Sequence, residues 1–193
     1  MSHAKHDRQE AIHNATQLFW AKGFHATSMR NIQQAMDMRP GSIYASFGSK
    51  EGLFKEVLGH YAAMSKARLR TSVEQAGSPL AGLKAFVKGA VCSDPASTPS
   101  SMCMLVKTIT ELTDDNADLL AEAKYWLAEM EAAFAEVLTQ ARASGETAAT
   151  ADPERQARYL QVQLMGLRSY ARARPGECHL DELVDDVFEH LRG

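Results

Sequence analysis

The sequence predicts an all-α fold with two parts, a small three-helix domain over residues 1–50 and a helical bundle over residues 51–193. Apolar residues recur at the spacing of amphipathic helices along the chain, and no segment has a convincing strand pattern. Capping residues, glycines and prolines separate the helical segments. Residues 1–50 carry six Lys or Arg against three Asp or Glu, a net charge of +3, whereas the remainder carries 15 against 21, a net charge of −6.

The first helix is predicted from Asp7 to Lys22, because the apolar residues of this segment form a single face. Gly23 then ends the helix as a C-terminal cap, and Phe24 turns back towards the core. The residues of the buried face are Ala11, Ile12, Ala15, Leu18 and Phe19.

The second helix begins after Thr27 or Ser28, either of which can cap its first turn. A three-residue turn from Asp37 follows, and Pro40 suits the first turn of the third helix, where a missing N–H costs nothing. Two short helices joined by a tight turn form a helix-turn-helix, which the first helix holds rigid through a shared core. The inward residues are Met29, Ile32, Ala35 and Met36 in the second helix, and Ile43 and Phe47 in the third.

The outer face of the third helix is small and polar, and basic residues flank it. Gly41 and Ser42 have little side chain, so the backbone can come close to DNA. Arg39 is the best candidate to bind a guanine, and Lys50 can hold a backbone phosphate. Sequence-specific DNA binding is therefore the leading hypothesis, and the alternative is that these residues are merely solvated. The rest of the face comprises Tyr44, whose hydroxyl can reach a phosphate, Ala45, and Ser46, which can bond to a base edge.

This segment resembles the DNA-binding domain of TetR-type transcriptional regulators. The matching residues are Gly23, Phe24, Thr27, Ser28, Ile32, Gly41, Ser42, Ile43, Tyr44, Phe47, Ser49, Lys50 and Glu51. The resemblance implies a homodimer that binds operator DNA through these helices, and a C-terminal helical domain that holds an inducer. The family often has His or Tyr where this chain has Ser46, so one expected contact with DNA is missing here.

The resemblance also implies roles for individual residues. Thr27 and Ser28 would contact phosphates, and Tyr44 and Lys50 would hold the DNA backbone. The residues expected in the major groove are Arg39, Pro40, Gly41 and Ser42. Residues 51–193 would form the effector-binding and dimerisation domain, and repression is the commoner activity in the family.

Beyond Lys50 the chain is predicted to remain helical. Helices are expected from the Ser49 cap to Gln75, after the Ser78 cap, from Met102 to Leu112, from Asp114 to Ser144, after the Asp152 cap, and at the end of the chain. Gly145 stops the fourth of these helices, and the segment from Ser93 to Ser101, which is rich in Pro and Ser, is predicted to be a loop.

The last two helices, residues 152–173 and 179–192, carry apolar stripes that predict a partner surface. A dimer is favoured because two recognition helices about 34–36 Å apart bind a palindrome. In the TetR-type family this pair packs against its copy as a four-helix bundle. The alternative is that the stripes close the chain's own core. The apolar positions are Ala157, Leu160, Leu164, Leu167 and Ala171, then Leu180, Leu183, Val184, Val187, Phe188 and Leu191.

The middle helices are expected to enclose a pocket for an unknown small-molecule effector, since bundle cores commonly house ligands. Methionine adapts to varied ligands, although Met and aromatic residues at helical spacing are more often plain core. The candidate lining residues are Phe86, Met102, Cys103, Met104, Leu105, Ile109, Tyr125, Trp126, Met130 and Met165.

Cys103 suggests a second means of control. The segment from Met102 to Lys107, with Glu111, resembles the start of a regulatory-domain helix in TetR-type regulators that sense electrophiles or oxidants through this cysteine. Met102 replaces the usual glycine. A helix N-terminus favours the thiolate form, and Lys107, four residues on, can add to this effect. The alternative is that Cys103 is a small buried apolar residue.

Other classes of protein fit the sequence less well. An enzyme is not expected, because no nucleotide-binding glycine loop, P-loop or metalloprotease motif occurs. The sequence has three cysteines, Cys92, Cys103 and Cys178, and no C-x-x-C pair, so neither a disulfide framework nor a metal site is expected. No cofactor is expected either. Without a membrane-length apolar run or a signal peptide, the protein is expected to be cytoplasmic. A helical scaffold that dimerises without base-specific DNA binding is the main rival hypothesis.

Overall fold

A computed structural model describes residues 2–92, 98–174 and 179–193, with side chains from residue 8 onward. The described ranges are mostly helical and contain no strand, so the all-α prediction is confirmed. The helices are α1 (Ser2–Lys22), α2 (Met29–Met36), α3 (Pro40–Phe47), α4 (Lys50–Gln75), α5 (Pro79–Val91), α6 (Met104–Glu111), α7 (Ala117–Ala143), α8 (Pro153–Ala173) and α9 (Leu180–Arg192). Among these helices, none combines the length and apolar character that crossing a membrane requires. Cys178 and most of the predicted loop from Ser93 lie outside the described residues.

Capping residues set several helix boundaries where they were predicted. The Ser28 hydroxyl oxygen accepts a hydrogen bond from the Asn31 N–H at 3.2 Å and caps α2. The Asp152 carboxylate accepts one from the Glu154 N–H at 3.0 Å and caps α8. Gly23 ends α1 with a φ of +88°, a left-handed conformation that glycine adopts without steric cost.

Three helices start elsewhere than predicted. Helix α1 already begins at Ser2. Helix α6 begins at Met104, because Cys103 has an extended backbone and serves as its N-cap residue. Helix α7 begins at Ala117, because Asp114–Asn116 forms a separate 3-10 turn.

The first of two compact units comprises residues up to 63 together with residues 103–127. An aromatic cluster lies in its core, where the Phe54 ring centroid is 4.8 Å from that of Phe19 and 4.9 Å from that of Phe24. The inward orientation predicted for Phe19 and Phe24 is thus confirmed. The other large side chains buried in this unit include Ile32, Ile43, Phe47, Leu53, Leu58, Met104, Leu105 and Leu119.

The second unit comprises residues 64–102 and 128–193, in which α5 packs against α8 and α9. Gly82 of α5 lies against α4 so closely that an added Cβ would be 2.4 Å from the Val73 Cα. Ser78 caps α5, and its hydroxyl donates to Glu146 Oε2 at 2.6 Å. Helices α4 and α7 contribute residues to each unit. The domain boundary at residue 50 stays a prediction.

Candidate nucleic-acid interface

The turn between α2 and α3 is short because one residue reverses the chain. Asp37 has a φ of +50° and ends α2, with its N–H donating to Gln33 O. The Met38 N–H donates to the same carbonyl at 3.2 Å. Arg39 then takes an extended conformation and precedes Pro40, the first residue of α3. A left-handed residue at a helix C-terminus followed by proline in the next first turn produces this tight turn.

Helix α3 has one buried face and one exposed face, as predicted. Ile43 and Phe47 are only 1% and 7% exposed, so each anchors the helix with about 1.5–3 kcal/mol of apolar burial. A Cβ added at Gly41 would meet no atom within 4 Å, which shows that this position faces open space. The exposed residues are Arg39, Pro40, Gly41, Ser42, Tyr44, Ala45 and Ser46. Their exposure is established, whereas their contact with DNA stays a prediction.

Ser28 and Thr27 occupy different environments. Ser28 is exposed, and its hydroxyl donates to Asn31 Oδ1 at 3.0 Å. Thr27 is fully buried, and its hydroxyl donates to Gly23 O at 2.6 Å, which holds the turn after α1. A phosphate contact through the Thr27 side chain does not fit this burial. Ser28 remains accessible to a phosphate.

Lys50 does not extend freely into solvent. Its ammonium lies 4.3 Å from the centroid of the Phe24 ring, a cation–π contact. Burial lowers the pKa of Lys50, and the nearby carboxylates of Glu51 and Glu111 act in the opposite direction. In this arrangement the side chain packs on the Phe24 ring, and its contact with a phosphate stays a prediction.

Two basic residues near the helix-turn-helix were not singled out from the sequence. Arg8 Nη2 donates to both oxygens of the Glu56 carboxylate, at 2.7 and 2.8 Å, and the Arg8 guanidinium lies 4.9 Å from the Phe47 ring centroid. Arg8 therefore joins α1, α3 and α4. Arg30 is exposed on α2 and adds a second exposed cation to the helix-turn-helix, after Arg39. No local sequence signal separates these two residues from other surface basic residues.

The predicted effector-binding residues are divided between the two units. Tyr125 is 54% exposed, and Trp126 donates from Nε1 to Glu122 Oε1 at 2.7 Å. The Phe86 ring packs against Phe134 at 5.9 Å between centroids. The first unit holds Cys103, Met104, Leu105, Ile109, Tyr125 and Trp126, and the second holds Phe86, Met102, Met130 and Met165. Their role in binding an effector stays a prediction.

One groove in the second unit has both apolar and charged residues in its lining. Its volume is about 490 Å³, and it lies between α4 and α7. Leu69, Val73 and Val137 supply its apolar lining, and the Lys66 ammonium pairs with Glu129 Oε2 at 2.7 Å at its wall. None of the ten predicted effector-binding residues lines this groove.

The exposed face of α3, the tight turn before it and the buried anchors behind it define a helix-turn-helix DNA-binding protein. Comparison with known protein families identifies the family to which this helix-turn-helix protein belongs. The model described as "Bacterial regulatory proteins, tetR family" matches residues 11–57, and the model "Tetracyclin repressor-like, C-terminal domain" matches residues 79–185. The chain belongs to the TetR family, whose members are DNA-binding transcription regulators and not enzymes.

Individual relatives agree with this assignment. The chain is 32% identical over 170 residues to the HTH-type transcriptional repressor ComR of Escherichia coli (strain K12), covering 86% of this chain and 80% of ComR. It is 45% identical over 53 residues to the repressor BdcR of the same strain, covering 28% of this chain and 27% of BdcR. A solved cysteine mutant of the TetR family regulator CifR, complexed with 26 bp double-strand operator DNA, matches with a TM-score of 0.82 and 27% identity over 95% of each chain.

Proposed function

We propose that this protein is a cytoplasmic homodimeric repressor that binds a palindromic operator and is released by a small-molecule effector or by modification of Cys103. The observation that carries the proposal is the exposed outer face of α3, where open space surrounds Gly41. The repressors ComR and BdcR support it, as does the CifR complex with operator DNA. Repression follows if the occupied operator overlaps a promoter.

Each exposed residue of α3 and its preceding turn has a proposed role. Arg39 carries the long guanidinium that can donate two hydrogen bonds to guanine O6 and N7. Tyr44, half-exposed, and Ser28 have hydroxyls that can donate to phosphate oxygens. Pro40, Gly41 and Ser42 bring the backbone of the first turn close to the groove. This division predicts that specificity depends mainly on Arg39.

Selection of sites from a random duplex pool tests operator binding directly. We expect enrichment of an inverted repeat, and Arg39→Ala should then cost about 1–3 kcal/mol on the enriched site and relax its sequence preference. Arg30→Ala is the matched control, since it removes the same exposed charge from α2 and should weaken all sequences alike. If no sequence is enriched by folded, reduced protein, the scaffold hypothesis replaces this one.

The structure changes which residues support a dimer. Most apolar positions that predicted a partner surface, such as Leu160, Leu164 and Phe188, are buried in the chain's own unit, so the alternative interpretation holds for them. Two other apolar residues, Val162 and Tyr170, are 64% and 43% exposed, and Leu183, one of the predicted positions, is 38% exposed. Such residues on α8 and α9 are suited to a contact between copies.

Gly166 strengthens this argument for α8. It is exposed in the middle of the helix, where glycine costs about 0.5–1 kcal/mol relative to alanine. A Cβ at this position would meet nothing within 4 Å of the chain itself. Gly166 lies one turn after Val162, so the absence of a side chain would let a second helix approach closely there.

Light scattering on two variants tests the dimer. We expect the wild type to be a dimer at micromolar concentration, and Val162→Glu to be a folded monomer that binds the operator weakly. Thr139→Glu, which adds the same charge at an exposed position of α7, should remain dimeric. A monomeric wild type, or an unaffected Val162→Glu, contradicts the proposed interface.

Release through Cys103 is supported by its position. Cys103 is half-exposed and forms the N-cap of α6, without a side-chain capping bond. Lys107 was expected to act on this thiol, but its ammonium donates to the Trp20 and Ala21 carbonyls. We expect maleimide to label Cys103 and to release operator DNA, with Cys92→Ser responding like the wild type and Cys103→Ser resisting release. Unchanged DNA binding after complete labelling of Cys103 removes this route and leaves effector binding.

A further inference from the structure

Helix α6 makes two charged contacts with the turn that joins α1 to α2. One oxygen of the Glu111 carboxylate accepts a hydrogen bond from the His25 N–H at 2.7 Å, and the other accepts one from the Phe24 N–H at 3.1 Å. Phe24 and His25 are separated from Glu111 by 87 and 86 positions along the chain, respectively. Hydrogen bonds from backbone N–H groups to a carboxylate are among the stronger ones in proteins.

Lys107, one turn earlier on α6, binds carbonyl groups at the end of α1, whereas Glu111 binds the N–H groups that follow. Its ammonium donates to Trp20 O at 2.7 Å and to Ala21 O at 3.1 Å. These carbonyls belong to the last turn of α1, where carbonyl groups have no partner within the helix. A cation is favoured at this end by the helix dipole. Lys107 and Glu111 thus satisfy the carbonyl end of α1 and the N–H groups that follow it.

The backbone between these contacts is shaped to admit the carboxylate. A Cβ added at Gly23 would lie 2.5 Å from Glu111 Oε2. The neighbouring Phe24 ring packs on Phe54 in the core, and the Lys50 ammonium also contacts this ring. Thr27 ties the same turn to Gly23 O. Because α2 starts directly after this turn, the conformation of the turn sets the direction of α2, and of the connected α3, relative to α1.

We propose that Lys107 and Glu111 are positioning residues for operator binding. They hold the end of α1 and the turn that follows it, residues 20–25, so that the α2–α3 pair has the orientation that fits the major groove. Neither residue contacts DNA in this proposal. The inference rests on the proposed operator binding. It also gives α6 a role in operator binding through two residues that are not among the predicted effector-binding residues.

Replacement of Glu111 tests the proposal, because a purely electrostatic effect and a positioning role predict opposite changes in operator affinity. Glu111→Gln removes a negative charge, so electrostatics alone should tighten binding to every duplex. An amide oxygen cannot accept both N–H bonds in the same bidentate manner, so the positioning role predicts weaker operator binding. We expect the ratio of operator affinity to random-duplex affinity to fall about tenfold, within the range of typical coupling between sites.

Matched variants isolate the charge effect. Asp115→Asn removes one negative charge from an exposed position in the same unit and should leave the ratio unchanged. Lys107→Met should lower the ratio, whereas Lys124→Met, at an exposed position of α7 in that unit, should weaken both duplexes alike. A lower melting temperature for Glu111→Gln with an unchanged affinity ratio would show a purely structural role and overturn the proposal. If the wild type itself does not discriminate operator from random DNA, operator binding fails instead.

A measurement on the wild type avoids dependence on variants that fold poorly. In amide hydrogen exchange, the Phe24 and His25 N–H groups should be protected, because both donate to the Glu111 carboxylate. The amide of the exposed residue Ala26, in the same turn, serves as the internal reference. Phe24 and His25 amides that exchange as fast as the Ala26 amide would refute the carboxylate contact on which the inference depends.

Discussion

Gly41→Ala should stabilise this protein and at the same time weaken operator binding. Gly41 is the second residue of α3, is exposed, and has no atom within 4 Å of the position that a Cβ would take. Alanine in place of a helical glycine contributes up to about 1 kcal/mol to the free energy of unfolding. For a chain of this size, the melting temperature should rise by about 2–4 °C per kcal/mol.

The same methyl group would lie where the proposed complex brings backbone and DNA together. Adding a methyl group to a closely packed contact costs about 1–3 kcal/mol, so operator affinity should fall about 5- to 150-fold for each recognition helix. The loss should be larger for the operator than for a random duplex, because non-specific binding does not require close fit in the groove.

The assay pairs thermal unfolding with fluorescence anisotropy on a labelled operator duplex. Gly89→Ala is the control, since Gly89 lies within α5 and a Cβ there also meets nothing within 4 Å. It should raise the melting temperature without changing DNA affinity. A stabilised Gly41→Ala protein with wild-type operator affinity would refute the assignment of α3 as the recognition helix. A destabilised variant would refute the claim that position 41 is open.

Three further predictions concern stability. Gly82→Ala should lower the free energy of unfolding in urea by about 1–3 kcal/mol or more, because its Cβ would lie 2.4 Å from the Val73 Cα and 2.8 Å from Ser72 O. An unchanged or higher free energy of unfolding, as expected for Gly89→Ala, would contradict this contact. Ser28→Ala should cost about 1 kcal/mol, since the cap of α2 is lost, and an unchanged urea midpoint would refute the capping role. His60 has an unpartnered Nε2, and its pKa is lowered first by burial and then by His13, so its neutral form is favoured in the folded protein. Stability from this group is present above the usual histidine pKa of about 6.5 and is lost as pH falls from there to the lowered pKa, and a His60→Gln variant with the wild-type pH dependence would contradict it.

The parts of the fold that depend on neighbouring residues were predictable from the sequence. The caps at Ser28, Ser78 and Asp152 were recognised because a capping side chain bonds to an N–H only two or three residues away. The exposed face of α3 followed from Ile43 and Phe47, four residues apart, which fix the opposite face. Helical periodicity is a local property, and it gave the outer residues of the candidate DNA interface directly.

What depends on distant residues was not predictable. Periodicity showed that Leu160 and Phe188 lie on apolar faces, but it does not specify whether the chain itself or a second copy covers them. Lys50 looked like a solvent-facing cation, and only the folded chain shows its ammonium on Phe24. Glu111 was noticed near Cys103, yet its partners are about half the chain away, and no spacing rule connects them.

Gly23 has a consequence for how sequences of this kind can diverge. Its φ of +88° disfavours any side chain, and the Glu111 carboxylate occupies the space that a Cβ would need. The two constraints differ in origin, since one is intrinsic to the backbone and the other is imposed by a residue on another helix. A chain that lost the carboxylate at position 111 would keep only the first constraint, so Asn becomes tolerable at position 23. Positions 23 and 111 are therefore expected to covary among relatives, with glycine retained most strictly wherever glutamate is present.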